Sequence, residues 1–290
     1  MSQRLQVPKM YKLFIGGKFT RTESERYFEV FEKQNGNKIC NVSRASRKDL
    51  RNAVESALAG YKAWGSLTAY NRAQIIYRLS EMLEGRKEQF TDEIKSVTGK
   101  SNQNCNREVQ AAIDRIIFYA GLADKWTQLH GTVNPVQDGY FNFSIPEPMG
   151  IVGIIVPENN SPLLSFLSFV LPVLTAGNAV VAITDHKISL PILTLAEVIA
   201  TSDFPASSVN ILTGNNAELY KHLAGHYGVN SILNSDKTLD EKTFVELSAN
   251  NVKRVYFIQP EDLYNNEKFE NYRLVNKFAE TKTVWHTVGN

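Results

Sequence analysis

The second half of the chain, from residue 150 onward, alternates apolar runs with amphipathic segments, and this alternation constrains the fold more than any other feature. The strand-like runs are 151–156, 179–184, 209–212, 229–233 and 254–258. The helix-like segments between them are 163–176, 190–200, 217–224 and 239–247. Strands buried on both faces have continuous apolar sequences, and intervening helices allow the strands to run parallel. We therefore predict an α/β fold with a Rossmann-like, doubly wound parallel sheet of about five strands, which binds ligands at the carboxyl ends of its strands.

The first half predicts a hairpin at 13–19, two further short strands at 27–30 and 38–42, and a set of N-terminal helices. Ser46 followed by Asp49 is the pattern of a capped helix start. Helical periodicity continues through 50–61, 69–89 and 108–126.

Composition excludes several classes of function. The net charge of +2 comes with no basic block, so we expect no nucleic-acid partner. The most apolar stretch, 163–176, is too short for a membrane span, which needs about 20 residues, and the N-terminus has no apolar signal-peptide core. Two cysteines, Cys40 and Cys105, make no disulfide framework. We expect a cytoplasmic protein without a membrane partner.

Six short segments occur in the order and at the spacing of the aldehyde dehydrogenase superfamily, which the chain resembles over nearly its whole length. They are Leu13-Phe-Ile-Gly-Gly-Lys-Phe, Ala57-Leu-Ala-Gly-Tyr-Lys-Ala-Trp, Arg72-Ala-Gln-Ile-Ile-Tyr-Arg-Leu, Thr98-Gly-Lys, Phe118-Tyr-Ala-Gly-Leu-Ala-Asp-Lys and Glu147-Pro-Met-Gly-Ile-Val-Gly. Members of that family have a nucleotide domain, a catalytic domain inserted near its end, and a small oligomerisation sheet.

The resemblance implies a division of the chain into two of these three parts. Residues 1–127 and 147–262 correspond to the NAD-binding-like domain, and residues 128–146 and 272–290 to the oligomerisation arm and tail. Within the arm, 129–136 and 140–145 resemble strands, and 278–288 resembles the strand that closes the sheet. We expect the catalytic domain to be absent, because residues 259–277 join the last nucleotide-domain strand directly to the tail. The protein then resembles the non-catalytic second unit of two-unit family members.

The resemblance also implies a catalytic machinery, most of which has no counterpart in the sequence. The family uses a cysteine nucleophile, and no cysteine follows Cys105. Its oxyanion asparagine corresponds to Asn159 or Asn160, and these either are vestiges or only complete a turn. Its general base corresponds to Glu246, which has no acyl-enzyme to hydrolyse without the cysteine. We therefore expect no catalytic residue, with Asn159, Asn160 and Glu246 as vestigial candidates.

The expected cofactor site is equally degenerate. Asp185 and Lys187 follow the second strand, where the family has a ribose-binding lysine, and Gly214 follows the third. Ser235 lies where the family has a Gly-Ser pair, and Asp236 beside it introduces a negative charge where phosphate would bind. No cofactor is expected, although NAD or NADP stays an alternative. His222 and His226 lack the acidic residue of a zinc motif, so we expect no metal site.

These observations favour a catalytically inactive, aldehyde dehydrogenase-like protein that acts as a structural or regulatory subunit. Its expected partner is a full-length aldehyde dehydrogenase, or a second copy of itself, bound through 128–146 and 278–290. Adding a strand to an exposed sheet edge is a common recognition mode. Two alternatives are NAD(P)-dependent aldehyde oxidation and a homo-oligomeric dinucleotide sensor.

Overall fold

The structure is a computed structural model that describes residues 9–137 and 139–288. The outer parts of the predicted 1–127 and 272–290 segments, residues 1–8 and 289–290, lie outside the described residues, as does residue 138 of the arm. The strands are β1 (Met10–Tyr11), β2 (Leu13–Ile15), β3 (Lys18–Thr20), β4 (Tyr27–Phe31), β5 (Lys38–Ser43), β6 (Thr132–Asn134), β7 (Tyr140–Pro148), β8 (Ile151–Val156), β9 (Ala179–Asp185), β10 (Val209–Gly214), β11 (Ser231–Asn234), β12 (Arg254–Phe257) and β13 (Ala279–Thr287).

The helices alternate with these strands in the second half and cluster in the first half. They are α1 (Arg47–Gly65), α2 (Ala69–Glu84), α3 (Lys87–Thr98), α4 (Asn102–Ala123), α5 (Trp126–His130), α6 (Pro162–Thr175), α7 (Ser189–Ala200), α8 (Asn216–Ala224), α9 (Glu241–Ala249), α10 (Asn266–Phe269) and α11 (Tyr272–Asn276), with a 3-10 helix at His186–Ile188. Among the described residues, no helix combines the length and the apolar character needed to cross a membrane.

The main sheet has seven strands in the order β12-β11-β8-β9-β10-β2-β3. The five strands β8 to β12 are parallel, which confirms the predicted fold class. The predicted hairpin adds β2 and β3 antiparallel to the edge beside β10, with Phe14 opposite Ile211. From β8, the chain places β9 and β10 on one side and β11 and β12 on the other. The switch in direction therefore lies between β8 and β11, and ligands of such sheets bind at this point.

Alternate residues of the central strand face two separate hydrophobic layers. Val152, Ile154 and Val156 pack with α2, α3, α4, α6 and α7. Ile151 and Ile155 point to the other face, which α1, α8 and α9 cover. Helix α6 is buried over its whole length because it lies between the sheet and α4. The sheet is thus covered on both faces, as its continuous apolar strands predict.

The prediction of a single helix over 69–89 is wrong. Helix α2 ends at Glu84, and a separate α3 begins at Lys87 and continues to Thr98, beyond the predicted end. Between them, Arg86 leaves helical geometry at φ −117°, while Phe90, Ile94 and Val97 form a new apolar face. Gly99 then ends α3 at φ +73°, a conformation that favours glycine.

A second, three-stranded sheet has the order β13-β7-β6, with both neighbours antiparallel to β7. The arm strand expected at 129–136 is shorter in the structure, because Leu129 belongs to α5 and only 132–134 form β6. β7 is longer than expected and ends at Pro148. β13 pairs with β7 along its full length, from Ala279 opposite Pro148 to Thr287 opposite Tyr140.

The segment 258–278 connects β12 to β13 through α10 and α11 and packs against α4 and α6. Arg115 of α4 is fully buried, and it forms an ion pair with Glu270 at 3.3 Å and donates to the carbonyl oxygen of Leu263 at 2.9 Å. Tyr119 donates to the carbonyl oxygen of Phe269 at 2.6 Å. These buried contacts fix the connection on the body of the domain and bring the chain back to β7.

Candidate functional site

The candidate site is the carboxyl edge of the parallel sheet, at the crevice between β8 and β11. The loop after β8 (157–161) and the loop after β11 (235–240) border this crevice. The turns after β9 and β10 continue along the same edge. All the cofactor candidates and the two asparagines predicted from the sequence belong to these four connections.

The loop after β8 uses Asn159 to complete a turn. The Asn159 amide nitrogen donates to the carbonyl oxygen of Pro157 and to Ser165 Oγ, both at 3.0 Å. Its oxygen accepts from the backbone N–H of Ser161 at 2.8 Å. Asn160 is exposed. The side chain of Asn159 is therefore occupied by the loop itself, as in the turn alternative.

A buried carboxylate that the sequence reasoning missed occupies the start of α6. Glu108 of α4 is fully buried and accepts from the backbone N–H groups of Leu163 at 3.0 Å and Leu164 at 3.4 Å. Lys100 lies 3.1 Å from its other oxygen and donates to Ser161 Oγ at 3.0 Å. Burial raises the pKa of Glu108, and Lys100 opposes this effect. The N–H groups that could bind a phosphate at this helix terminus are thus already bonded.

The turn after β9 holds a small charged cluster. Asp185 caps the 3-10 helix by accepting from the Lys187 backbone N–H at 2.9 Å. Lys187 Nζ lies 2.7 Å from Glu158 in the loop after β8, and Lys33 Nζ lies 3.6 Å from the same carboxylate. The hydrogen bond from Lys187 holds the pKa of Glu158 below its ordinary value. Lys33, Glu158 and Lys187 border a cavity of about 320 Å³.

Gly214 and Ser235, at the ends of β10 and β11, have packing roles. A Cβ at position 214 would lie 2.5 Å from Leu219 Cδ1, so a larger residue would require the Leu219 side chain of α8 to move. Ser235 is 1% exposed, and its backbone N–H donates to the carbonyl oxygen of Ile155 at 3.1 Å, which extends the pairing of β11 with β8.

Asp236 places a buried carboxylate at the crevice itself. It accepts from Asn216 at 2.9 Å and from the hydroxyl of Thr238 at 2.6 Å. The Asn216 amide also lies 3.4 Å from the carbonyl oxygen of Val156, the last residue of β8. Asn216 and Asp236 therefore bridge the carboxyl ends of β8 and β11 with side chains.

The remaining candidates belong to other elements of the fold. Glu246 is exposed on α9, where Lys242 is 3.7 Å away. Cys40 and Cys105 are both buried, and burial raises both thiol pKa values, that of Cys40 to about 11. Within residues 9–137 and 139–288, no three His, Cys, Asp or Glu side chains are grouped closely enough to hold a metal ion.

The structure thus brings some candidates together and separates others. Glu158 links the loop that contains Asn159 to Lys187, and Ser235 lies beside the end of β8. Glu246 joins neither group. Glu108 and Asn216 were missed because their partners are distant in sequence. One signal was available for Glu108, since it interrupts the apolar face of α4 between Cys105, Val109 and Ala112.

Comparison with known proteins places this geometry in context. Residues 19–257 match the model of the aldehyde dehydrogenase family. Retinal dehydrogenase 2 of Homo sapiens is 31% identical over 253 residues, which are 85% of this chain and 48% of that protein. The chain therefore spans about half the length of the curated relatives it matches.

Solved structures give the same result. PnpE from Pseudomonas sp. WBC-3 superposes with a TM-score of 0.82 at 26% identity, covering 87% of this chain and 51% of that one. An NAD+ complex of aldehyde dehydrogenase from Bacillus cereus superposes with a TM-score of 0.80 at 25% identity, covering 85% and 50%. Sequence and fold agree over the parallel sheet and its helices, and the chain belongs to the aldehyde dehydrogenase family.

Proposed function

We propose that this protein is a non-catalytic, aldehyde dehydrogenase-like subunit that assembles with a full-length aldehyde dehydrogenase and has a structural or regulatory role. The observation that carries this proposal is the free outer edge of β13 in the three-stranded sheet. Among the strands of residues 9–137 and 139–288, β13 pairs with β7 alone. An unpaired edge is a template for another strand, and main-chain hydrogen bonds across it supply affinity.

The direction of the β13 amides follows from one hydrogen bond. The Val288 N–H donates to the carbonyl oxygen of Gly139, which continues the β13–β7 register. In an antiparallel pair, alternate residues point their N–H groups to the partner strand and to the opposite side. The N–H groups of Thr281, Thr283 and Trp285 therefore point outward. Arg254 covers only the start of this edge, by donating to the carbonyl oxygen of Ala279 at 2.9 Å.

An apolar row on one face of the same sheet supports the proposal. Val133, Phe143 and Val284 lie directly opposite one another on β6, β7 and β13. Val133 is 68% exposed, and Phe141 on the same face is 42% exposed. Phe143 and Val284 are half-buried, so the row is apolar and at least partly exposed across three strands, and such a surface is typical of one that a partner covers.

The lack of catalysis is supported by the crevice. Glu108 occupies the N-terminus of α6 and Asp236 lies at the end of β11, so a bound pyrophosphate would meet two carboxylates. The two carboxylates therefore oppose the binding of a pyrophosphate between the start of α6 and the end of β11. Both cysteines are buried, Cys40 in β5 and Cys105 in α4.

The assembly is tested by changing one outward-facing amide. Thr281→Pro removes the N–H of residue 281 without removing a bond to β7, and proline is tolerated on edge strands. Thr281→Val is the matched control, because it retains the N–H. We expect tagged protein with the valine to co-purify a full-length aldehyde dehydrogenase from its native extract at a fixed ratio, and protein with the proline to lose it. Equal recovery with both variants would refute the edge-pairing proposal.

The absence of catalysis is tested separately by aldehyde oxidation with NAD or NADP as the acceptor. We expect the isolated protein to form no reduced cofactor above a buffer control. A rate that saturates with aldehyde would overturn the non-catalytic part of the proposal and leave the assembly part intact.

Dinucleotide binding is a second candidate function, favoured by the cavity of about 320 Å³ beside Lys187 and by the NAD+ complex of the Bacillus cereus relative. Calorimetry with NAD and NADP tests it. Saturable binding that Lys187→Gln weakens would support a sensor function, whereas no binding heat would remove it.

A further inference from the structure

A basic pocket at the C-terminal end of α8 belongs to none of the sites above. The crevice described earlier lies at the N-terminal end of the same helix. Its volume is about 570 Å³, and the first turns of α1 and the last turn of α8 form its walls. The side chains lining it include six basic groups: Arg47, Lys48, Arg51, Lys221, His222 and His226. No carboxylate is among the residues that line it. The whole chain has a net charge of only +2, so this concentration of positive charge is local.

Part of this charge has no internal partner. Lys48 lies 3.0 Å from Glu23, and Arg51 lies 3.6 Å from Glu55. In the part of the chain that the structure describes, Arg47 and Lys221 form no ion pair with a carboxylate. Asp49, the acidic residue of the same helix turn, is buried and turned toward Thr22 and the Ser46 backbone. Two cations without an ion pair among the described residues therefore line one concave space.

The stability of α1 does not explain this arrangement. Positive charges near a helix N-terminus oppose the helix dipole, and Arg47, Lys48 and Arg51 all lie within the first two turns. The capping box of Ser46 and Asp49 already satisfies that terminus. Lys221 and His222, in contrast, lie at the favourable C-terminal end of α8.

The two histidines extend the set of donors. His226 Nδ1 accepts from the Gly228 backbone N–H at 3.1 Å, so in the neutral ring the hydrogen is on Nε2. Burial, followed by Lys253 from the strand side and Arg51 from α1, lowers the pKa of His226, and Glu55 opposes them. Burial and then Arg47 lower the pKa of His222, and Glu218 of α8 opposes them.

We propose that this pocket binds a free phosphorylated small molecule through Arg47, Lys221 and His222. Guanidinium and ammonium groups form charge-assisted hydrogen bonds with phosphate oxygens. The volume is within the range of small-molecule sites. The site is separate from the dinucleotide crevice and from the β13 edge, so it is a place where a metabolite can regulate the protein independently of both.

Inorganic pyrophosphate is the probe, and calorimetry on the full chain is the measurement. We expect the double variant Arg47→Gln/Lys221→Gln to bind pyrophosphate at least about tenfold more weakly than the unmodified protein, since it loses two charged donors. The double variant Lys18→Gln/Lys62→Gln removes the same charge at exposed positions away from the pocket, and its affinity should stay within about twofold. Both pairs are exposed and form no ion pairs among the described residues, so the variants should fold.

A second readout reports on the pocket directly. Saturating sulfate, whose charge is constant near neutral pH, should raise the pKa of His222 in an NMR titration and leave the ring resonances of His130 in place. Failure of the unmodified protein to bind pyrophosphate would overturn the proposal, as would equal losses in the two double variants. A loss caused by Lys187→Gln would place the binding in the crevice instead. Binding only to vesicles that contain a phosphorylated inositol lipid would also overturn it.

Discussion

Arg115 shows how one buried charge holds a connection in place. Its guanidinium is fully buried and bonds to Ser168 at 2.6 Å, to the carbonyl oxygen of Leu263 and to Glu270. Each contact joins α4 to α6 or to the segment 258–278. A charge with several well-placed partners is stable in the interior, whereas the same partners without it are left unsatisfied.

We expect Arg115→Leu to lower the free energy of unfolding by about 3–5 kcal/mol, because it leaves the Glu270 carboxylate and the Leu263 carbonyl without their donor. Urea unfolding measures the loss. Arg78→Leu is the control, since Arg78 is half exposed and, in the described part of the chain, forms an ion pair with Glu81 alone. This change should cost no more than about 1 kcal/mol. Similar losses for the two variants would contradict this account.

The buried amine of Lys253 predicts that the free energy of unfolding depends on pH. Its amine donates to the carbonyl oxygens of Ala224 and His226 at the end of α8, and burial lowers its pKa from 10.5 to about 8. Between these pKa values the unfolded chain binds more protons than the folded protein, so the stability contribution of this group rises with pH. We expect the free energy of unfolding of the unmodified protein to increase relative to that of Lys253→Met between about pH 8 and about pH 10.

The control comes from the same measurements, the free energy of unfolding of the unmodified protein and of Lys253→Met as functions of pH. Below about pH 7 Lys253 is protonated in both states, so the stability difference between the proteins should be constant there. A difference that stays constant through the alkaline window as well would show that the lowered pKa has no effect on folding.

Single residues also mark the limit of sequence reasoning at the site. Asp236 was identified because it introduces a negative charge beside Ser235, where the resembled family binds phosphate. Glu108 was not, because its function depends on the N–H groups of Leu163 and Leu164, more than fifty residues away along the chain. A local pattern carries no information about which distant backbone groups a buried carboxylate will meet.

At the scale of the elements, α1 depends on a close approach to the loop before β10. A Cβ at Gly60 would lie 2.1 Å from the Ser207 carbonyl oxygen. The helix and the loop are also joined by the Ser56–Ser207 hydroxyl pair at 2.8 Å. The contact is therefore backbone against backbone, which leaves no flexible side chain to move aside.

We expect Gly60→Ala to destabilise the protein by about 1–3 kcal/mol or more through this overpacking. Gly121→Ala is the matched change, because Gly121 lies in α4 with no atom within 4 Å of its added Cβ. That variant should be more stable by about 0.4–1 kcal/mol, since alanine restricts the unfolded chain. Thermal melts of both would test the pair, and a stabilised Gly60→Ala would show that α1 can move freely.

The strands were predictable and the helix boundaries less so, for a physical reason. β8 to β11 are buried along almost their whole length, so their largely apolar runs favour strands inside the sheet. The break between α2 and α3 depends on Gly85 and Arg86, and Gly85 itself keeps helical angles, at φ −62°. The apolar period continues through it, and only the packing of Phe90 and Ile94 against neighbouring helices sets the new axis.

At the scale of the whole molecule, the three-stranded sheet carries an apolar row that no element of residues 9–137 and 139–288 covers. Phe143 and Val284 are central to it and lie opposite each other on β7 and β13. Both are only partly exposed, because neighbouring side chains on the same face flank them. A partner that pairs with β13 would also cover this row.

We expect Phe143→Ser/Val284→Thr to lower the native mass of the assembled protein while shifting the unfolding midpoint of the isolated chain only slightly. Mass measurement under native conditions and a thermal melt check the two parts. The comparison variant is Tyr27→Ser, another exposed aromatic on a strand outside this sheet, which should leave the native mass unchanged. An unchanged mass in the double variant would place the assembly surface elsewhere.

The order of the main sheet has a consequence for synthesis of the chain. Phe14 is paired with Ile211, and Ala45 donates to the carbonyl oxygen of Thr213, so strands and turns made first are completed by β10. In a chain leaving the ribosome, the edge of β2 that pairs with β10 has no partner until about two hundred further residues have been made. Contacts this distant in sequence slow folding. The first half therefore depends on the second for its structure, and a nascent chain stalled before β10 would expose apolar surface to chaperones.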